Sequence, residues 1–144
     1  MSGRKVTQKV VLAGIVIHDG RALLLKRSGR DQILPGLWEL PSGKKEDLED
    51  WREALIREVA EESGIDAEPV APIDVYGYVV EKDGETRDMT QINFLMRVIG
   101  EPEVRLSDEH DDFAWVTEPE LDRRNTSEQT KHAIRMAFGH EIEV

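Results

Sequence analysis

Residues 43–65 read GKKEDLEDWREALIREVAEESGI, and the spacing of the charged residues in this stretch decides how the rest of the chain is understood. Gly43 is followed after five residues by Glu49, and after seven more come Arg57, Glu58, the aliphatic Val59, Glu61, Glu62, Gly64 and the aliphatic Ile65. If Trp51–Glu62 is helical, Glu58, Glu61 and Glu62 fall at i, i+3 and i+4 and crowd one side of about one turn. A solvated acidic helix tolerates such crowding at roughly a few tenths of a kcal/mol per pair. A cation among the carboxylates turns the same repulsion into ligation. Seven fixed identities at fixed spacing match by accident about once in ten million starting points, so the flanking pattern argues against chance.

The stretch resembles the Nudix box, GX5EX7REUXEEXGU with U aliphatic, at every specified position. LLLKRS before it and SDEHDDFAWVTEPEL after it are similar to the flanking segments of MutT-like Nudix hydrolases, so the resemblance covers about residues 6 to 138. One departure is visible: many family members place Gly before the first Glu of the box, where this chain has Leu48. The resemblance implies an α/β/α sandwich with a mixed sheet, the box forming loop, helix and loop. It implies hydrolysis of a nucleoside diphosphate linked to another group, with Mg²⁺, or Mn²⁺ in its place, bridging phosphate oxygens to the protein. Glu58, Glu61 and Glu62 match the family's metal-binding glutamates, and the Gly43 carbonyl often completes the shell. Hard cations prefer such oxygen ligands. Arg57 and Glu49 match a pair that orients the box. Family members differ in where the general base comes from: Glu109 is the first later-loop candidate, Glu58 the in-box alternative and Asp108 the third.

Length and composition set the bounds. A chain of 144 residues suits one ordinary domain, read here as residues 1–144. A hydrophobic fraction of 39% beside 34% charged residues suits a soluble, folded protein. The start of the chain, MSGRKVTQKVVLAG, lacks the long apolar core of a secretory signal, so a cytoplasmic location is expected, with no membrane partner. Zero cysteines exclude disulfides, thiolate zinc sites and cysteine nucleophiles. A formal charge of −11 argues against long nucleic acids, whose phosphates are bound by Lys and Arg. It is compatible with a small polyanion if divalent cations bridge the two, although acidic totals are also common for solubility alone.

The pattern along the chain predicts a strand over Val6–His18, a hairpin at Asp19-Gly20, and a second strand over Ala22–Leu25. Arg30–Gly36 reads as a loop with a Pro35-Gly36 turn, and Leu37–Leu40 as a short strand. The box helix is expected from about Glu49–Trp51 to Gly64, with Trp51, Ala54, Leu55 and Val59 buried. An extended region through Pro69 and Pro72 leads to strands over Val75–Val80 and Thr90–Ile99, joined by the polar tip Lys82–Glu85. Phe113–Val116 supplies another strand. A last helix over Thr126–Phe138 is expected to open on a Thr126–Gln129 capping box, to bury Ala133, Ile134, Ala137 and Phe138, and to end before Gly139.

Outside the box, Arg27 at the end of the second strand suits a phosphate by its bidentate fork, and Lys26 suits the surface. Trp38 and Glu39 are candidates for the nucleoside side of the cleft, with Trp38 also reading as core. The four histidines show no metal-ligand spacing, and His110 reads as part of an acidic turn in preference to a hydrogen-bond partner of the substrate. The expectation is a Mg²⁺-dependent pyrophosphohydrolase that converts a nucleoside triphosphate to a monophosphate and pyrophosphate. A nucleotide sugar or a dinucleoside polyphosphate is the alternative substrate, and a non-catalytic nucleotide-binding module the alternative of another class. Intact Glu58, Glu61 and Glu62 argue against the last. Many family members are dimers, so a homodimer stays open.

Overall fold

The computed structural model describes residues 4–30 and 35–141. Its centre is a seven-stranded sheet: β1 (Lys5–His18), β2 (Arg21–Arg27), β3 (Trp38–Glu39), β4 (Ser42–Lys44), β5 (Ala67–Lys82), β6 (Glu85–Val98) and β7 (His110–Val116). The main order is β3-β2-β1-β6-β5, with β4 added to β1 and β7 to β2. β1 and β6 run parallel and the other pairs antiparallel, so the sheet is mixed as expected.

The apolar runs are continuous because both faces of the sheet are covered. Along β1 and β2, Ala13, Ile15, Ile17, Ala22 and Leu24 face the layer under α2 (Glu128–Glu141). Their neighbours Leu12, Val16, Leu23 and Leu25 face the layer under α1 (Trp51–Ser63). Side chains alternate across a strand, so one run of sequence feeds two cores. Helices on opposite faces give the α/β/α sandwich. Gly14 lets α1 approach closely, since a Cβ there would come within 2.5 Å of the Met96 sulfur and 2.8 Å of Val59 Cγ2.

Turn chemistry explains the hairpins. Asp19 and Gly20 both take positive φ, 51° and 74°, as do Asp83 and Gly84 at 53° and 73°. Two left-handed residues in succession match the right-handed twist of the flanking strands.

Several expectations need correction. The box does not open as a plain loop: Ser42–Lys44 is a strand on β1, with Gly43 opposite Leu12. The region through Pro69 and Pro72 is not a lead-in but the first half of β5, whose register shifts at each proline. A proline has no N–H for the ladder, and an edge strand absorbs that loss through bulges. Trp51 is not in the buried stripe. It is 43% exposed at the first turn of α1 and stacks on Phe94 at 4.9 Å, while Ala54, Leu55 and Val59 are fully buried. The cap of α2 is Ser127, whose Oγ accepts from Thr130 N–H at 3.1 Å; the Thr126 hydroxyl is buried without a partner among the described residues. The Thr–x–x–Glu capping box forms instead at Thr117–Glu120, opening a 3₁₀ helix over Glu118–Arg123. α2 continues through Gly139 to Glu141. Of the Arg30–Gly36 loop, residues 31–34 lie outside the described residues, and Pro35-Gly36 forms the turn.

Candidate active site

Helix α1 is fixed at both ends by local chemistry. Asp50 caps its start by accepting from Glu53 N–H, and Gly64 ends it in the left-handed region at φ 74°. In between, Arg57 gathers three carboxylates. Its Nε and Nη2 donate to the two oxygens of Glu49, both at 2.9 Å, a bidentate fork, and Nη1 donates to Glu58 Oε1 at 2.8 Å. Glu61 lies farther off, at 3.4 Å from Nη1, with its side chain 58% exposed. Glu49 does stand at the junction of loop and helix, where its Oε1 also accepts from Glu46 N–H at 3.0 Å. Hydrogen bonding to Arg57 holds the Glu49 carboxyl below the usual range, and Glu49 in turn pushes the Arg57 guanidinium above its own.

Gly43 is required by Glu58. A Cβ on Gly43 would collide with the Glu58 carboxylate, so the side chain lies flat across strand β4 where no other residue leaves room. Burial raises the Glu58 carboxyl above its ordinary value, opposed by Arg57.

Glu62 is deeper. It is 9% exposed, and its Oε1 accepts from Ser42 N–H at 2.8 Å. Burial pushes its carboxyl up to about 9, the neighbouring Glu109 and Glu39 add to the rise, and the Ser42 N–H works against it. Glu109 comes from the loop entering β7, anchored by Ser28 N–H donating to its carbonyl at 2.9 Å. One ligand atom each from Glu62, Glu109 and His110 lie within 4.8 Å of one another.

His110 corrects the sequence reading, which left it in a turn. It is buried at the start of β7, with Nε2 2.8 Å from Glu39 Oε2, while Arg27 Nη1 donates to Glu39 Oε1 at 2.9 Å. An imidazole nitrogen facing a carboxylate carries a proton, and the other ring nitrogen is Nδ1. That atom is buried and has no partner among the described residues. Trp38 takes the core reading of the two that the sequence offered. It packs against the α2-side core with the Arg124 guanidinium 4.6 Å over its ring, while its neighbours Leu37 and Glu39 face the cleft.

Two cavities meet at Arg27 and Glu39. The first, about 400 Å³, is lined by these two with Ser28, Arg30, Asp108 and Glu109. The second, about 370 Å³, lies between the β5–β6 ribbon and the start of α2, lined by Tyr76, Tyr78, Gln91, Ser127 and Gln129. Each is of the size that small ligands occupy. The donor set at their junction suits a hard divalent cation: carboxylate oxygens predominate, and an acid held protonated by burial and like charge gives up its proton when a cation takes that place.

The chain belongs to the Nudix family: the NUDIX domain pattern matches residues 8–136. It is 30% identical over 130 residues to the nucleoside triphosphatase NudI of Enterobacter sp. (strain 638), covering 86% of this chain and 92% of that protein. The crystal structure of the MutT NUDIX hydrolase from Burkholderia pseudomallei matches with 30% identity and a TM-score of 0.73, over 90% of this chain and 98% of that one. The MutT protein from Methanosarcina mazei Go1 matches at 26% identity and a TM-score of 0.76, over 99% and 100%. This chain is therefore a Nudix hydrolase of the MutT-like kind. Among the described residues no helix is long and apolar enough to cross a membrane.

His110 and the Ser42 N–H are the parts that sequence reasoning missed. The signal for His110 was its place beside a strand: a histidine three residues before an apolar stretch starts turns inward as readily as outward. The Ser42 N–H carries no sequence signal, because any residue but proline would donate there.

Proposed function

We propose that the protein hydrolyses a nucleoside triphosphate to the monophosphate and pyrophosphate, using Mg²⁺ with Mn²⁺ as a substitute. One observation carries this reading: Glu109, which groups with the buried Glu62 and His110, lines the first cavity, and that cavity shares Arg27 and Glu39 with a second one lined by aromatic and amide side chains. Carboxylates without a cation repel a polyphosphate, and a cavity with amides and phenols suits a nucleoside. The relatives named as nucleoside triphosphatases support the same substrate class.

Glu58, Glu61 and Glu62, with Glu109 and the Gly43 carbonyl, would hold the divalent cation. When bound, it neutralises phosphate oxygens and polarises the phosphorus toward attack. Every other part is supplied by the chain. Arg57 is a positioning residue that fixes Glu58 through its 2.8 Å hydrogen bond and is itself held by Glu49. Glu109, exposed at the mouth of the first cavity, accepts the proton of the attacking water as its oxygen bonds to phosphorus and the bond to the leaving pyrophosphate oxygen breaks. Glu39 holds His110 and Arg27 on its two oxygens, which keeps the guanidinium at the junction where the phosphate chain passes.

The test is a panel of nucleoside triphosphates, nucleotide sugars and dinucleoside polyphosphates, with Mg²⁺, Mn²⁺ or EDTA in ¹⁸O-labelled water. Mass analysis of products reports both substrate and cleaved bond. Turnover restricted to nucleotide sugars or dinucleoside polyphosphates would overturn the reading, as would hydrolysis that persists in EDTA.

A further inference from the structure

We propose that Gln91 selects the nucleobase by presenting a hydrogen-bond acceptor to it, and that Asp74 sets this polarity through the buried amide of Asn93; the inference rests on the nucleotide reading above. The register of the β5–β6 ribbon sets Asp74 opposite Asn93 and Tyr76 opposite Gln91. Asn93, 1% exposed, donates from Nδ2 to Asp74 Oδ1 at 2.7 Å. Gln91 Nε2 donates to Asn93 Oδ1 at 2.9 Å, and Gln91 Oε1 accepts from the Tyr78 hydroxyl at 3.3 Å.

The direction of this chain follows from its inner end. An ionised carboxylate has no hydrogen to give, so Asn93 turns its NH₂ toward Asp74 and its carbonyl toward Gln91. Gln91 must then spend an N–H inward, which leaves its carbonyl at the cavity end beside Tyr78. Reversing either amide would set two acceptors or two NH₂ groups against each other around the buried Asn93 amide, and a buried polar group left unsatisfied there is more costly than a hydrogen bond is favourable. The Tyr76 hydroxyl lies beside both amides, and Tyr76, Tyr78 and Gln91 all line the second cavity.

The carbonyl of Gln91 keeps a lone pair for a ligand. A base carrying an exocyclic amine, cytosine or adenine, donates to it, whereas the oxo counterparts of the same size, uracil and hypoxanthine, turn an acceptor toward an acceptor. Cavity shape does not distinguish the members of each pair, so polarity does.

The experiment compares kcat/KM for dCTP against dUTP and dATP against dITP, alongside calorimetric binding of dCMP and dUMP. The wild-type protein should favour the amino member of each pair by about tenfold, the scale of one hydrogen bond. Asp74→Asn supplies an N–H at the inner end, frees both amides to turn over, and should bring the ratio to about one or invert it, through KM with kcat held, as expected for one hydrogen bond. Gln91→Glu should keep the amino preference and Gln91→Leu should erase it, which keeps the test decisive if Asp74→Asn fails to fold. Equal use of both members by the wild-type protein, or a preference that survives Gln91→Leu, overturns the inference while leaving the triphosphatase reading in place; an unchanged ratio in folded Asp74→Asn overturns the part given to Asp74. Selective binding of dCMP without hydrolysis of any triphosphate does the reverse, and absence of both hydrolysis and selective binding overturns both.

Discussion

The two helices that enclose the sheet bury different chemistry. α2 contributes Ala133, Ile134 and Ala137, fully buried, and the only buried polar residue described on it, Thr130, is held by the Ser127 cap. α1 contributes Ala54, Leu55 and Val59 in the same way, then continues into Glu62 and Ser63, both buried. Ser63 satisfies itself, its hydroxyl donating to the Val59 carbonyl at 2.6 Å and accepting from Ile65 N–H. Glu62 has one backbone donor and two carboxylate neighbours. One helix is therefore spent on stability, while the last turn of the other gives up stability for a site, as functional positions commonly do.

The sharpest way to break this contrast is Glu62→Gln. On the proposed metal site, hydrolysis should fall by on the order of 10³-fold or more, with the fold retained by circular dichroism. Metal-free stability should move the other way. The folded-state pKa of Glu62 is raised from 4.5 to about 9, so between those values the folded protein holds a proton that the unfolded chain has released. Stability contributed by that proton is full below the lower value and is lost as pH rises through the upper one. Thermal melts in EDTA at pH 5, 7 and 9 should show the decline in wild-type protein and a flatter profile in the variant, whose melting temperature at pH 9 should be higher by about 3 °C or more. A variant that melts lower at pH 9 would contradict the contrast.

Ile134→Ala on α2 should do the opposite. Removal of a fully buried side chain is expected to cost about 2–5 kcal/mol in denaturant unfolding, and kcat measured well below the melting temperature should stay within about twofold, since packing far from the reacting groups does not change the barrier. Arg57→Ala falls between the two: loss of the group that orients Glu58 should lower kcat by about 10–100-fold, as removal of outer-shell partners of metal ligands does, with Arg57→Lys only a partial rescue because a single ammonium cannot reproduce the fork. Leu48→Gly is the smallest effect. Leu48 holds φ at 64° with its side chain fully exposed, so glycine removes left-handed strain and loses no packing. A gain of about 0.5–1 kcal/mol by urea unfolding is expected, at unchanged activity.

The fold was legible where local chemistry and apolar periodicity agree. The two Asp-Gly turns, the Gly64 stop and the buried triplet of α2 all appear at the residues that sequence reading named. Misreadings fall where a partner distant in sequence decides. Ser42–Lys44 is a strand only because β1 lies beside it, and Trp51 finds Phe94 in place of the core. The site divides the same way. The Arg57–Glu49 fork is legible because both residues sit on one continuous segment. The approach of Glu109 and His110 to Glu62 depends on β7 returning to pair with β2, and no spacing within the box encodes it.

The contact between Gly43 and Glu58 has a consequence for how the motif tolerates change. Strand and helix are seated on one another at that point, and the fork from Arg57 pins Glu49 independently, so the segment between them carries slack. Glu46, Asp47 and Leu48 are exposed, and the loop there is tied back only by two hydrogen bonds between Glu46 and Glu49, at 3.0 and 3.1 Å. Extra residues inserted at that place would bulge outward at little cost, since each doubling of a surface loop adds only about 0.6 kcal/mol of closure entropy. A single methyl group on Gly43 would unseat the whole device.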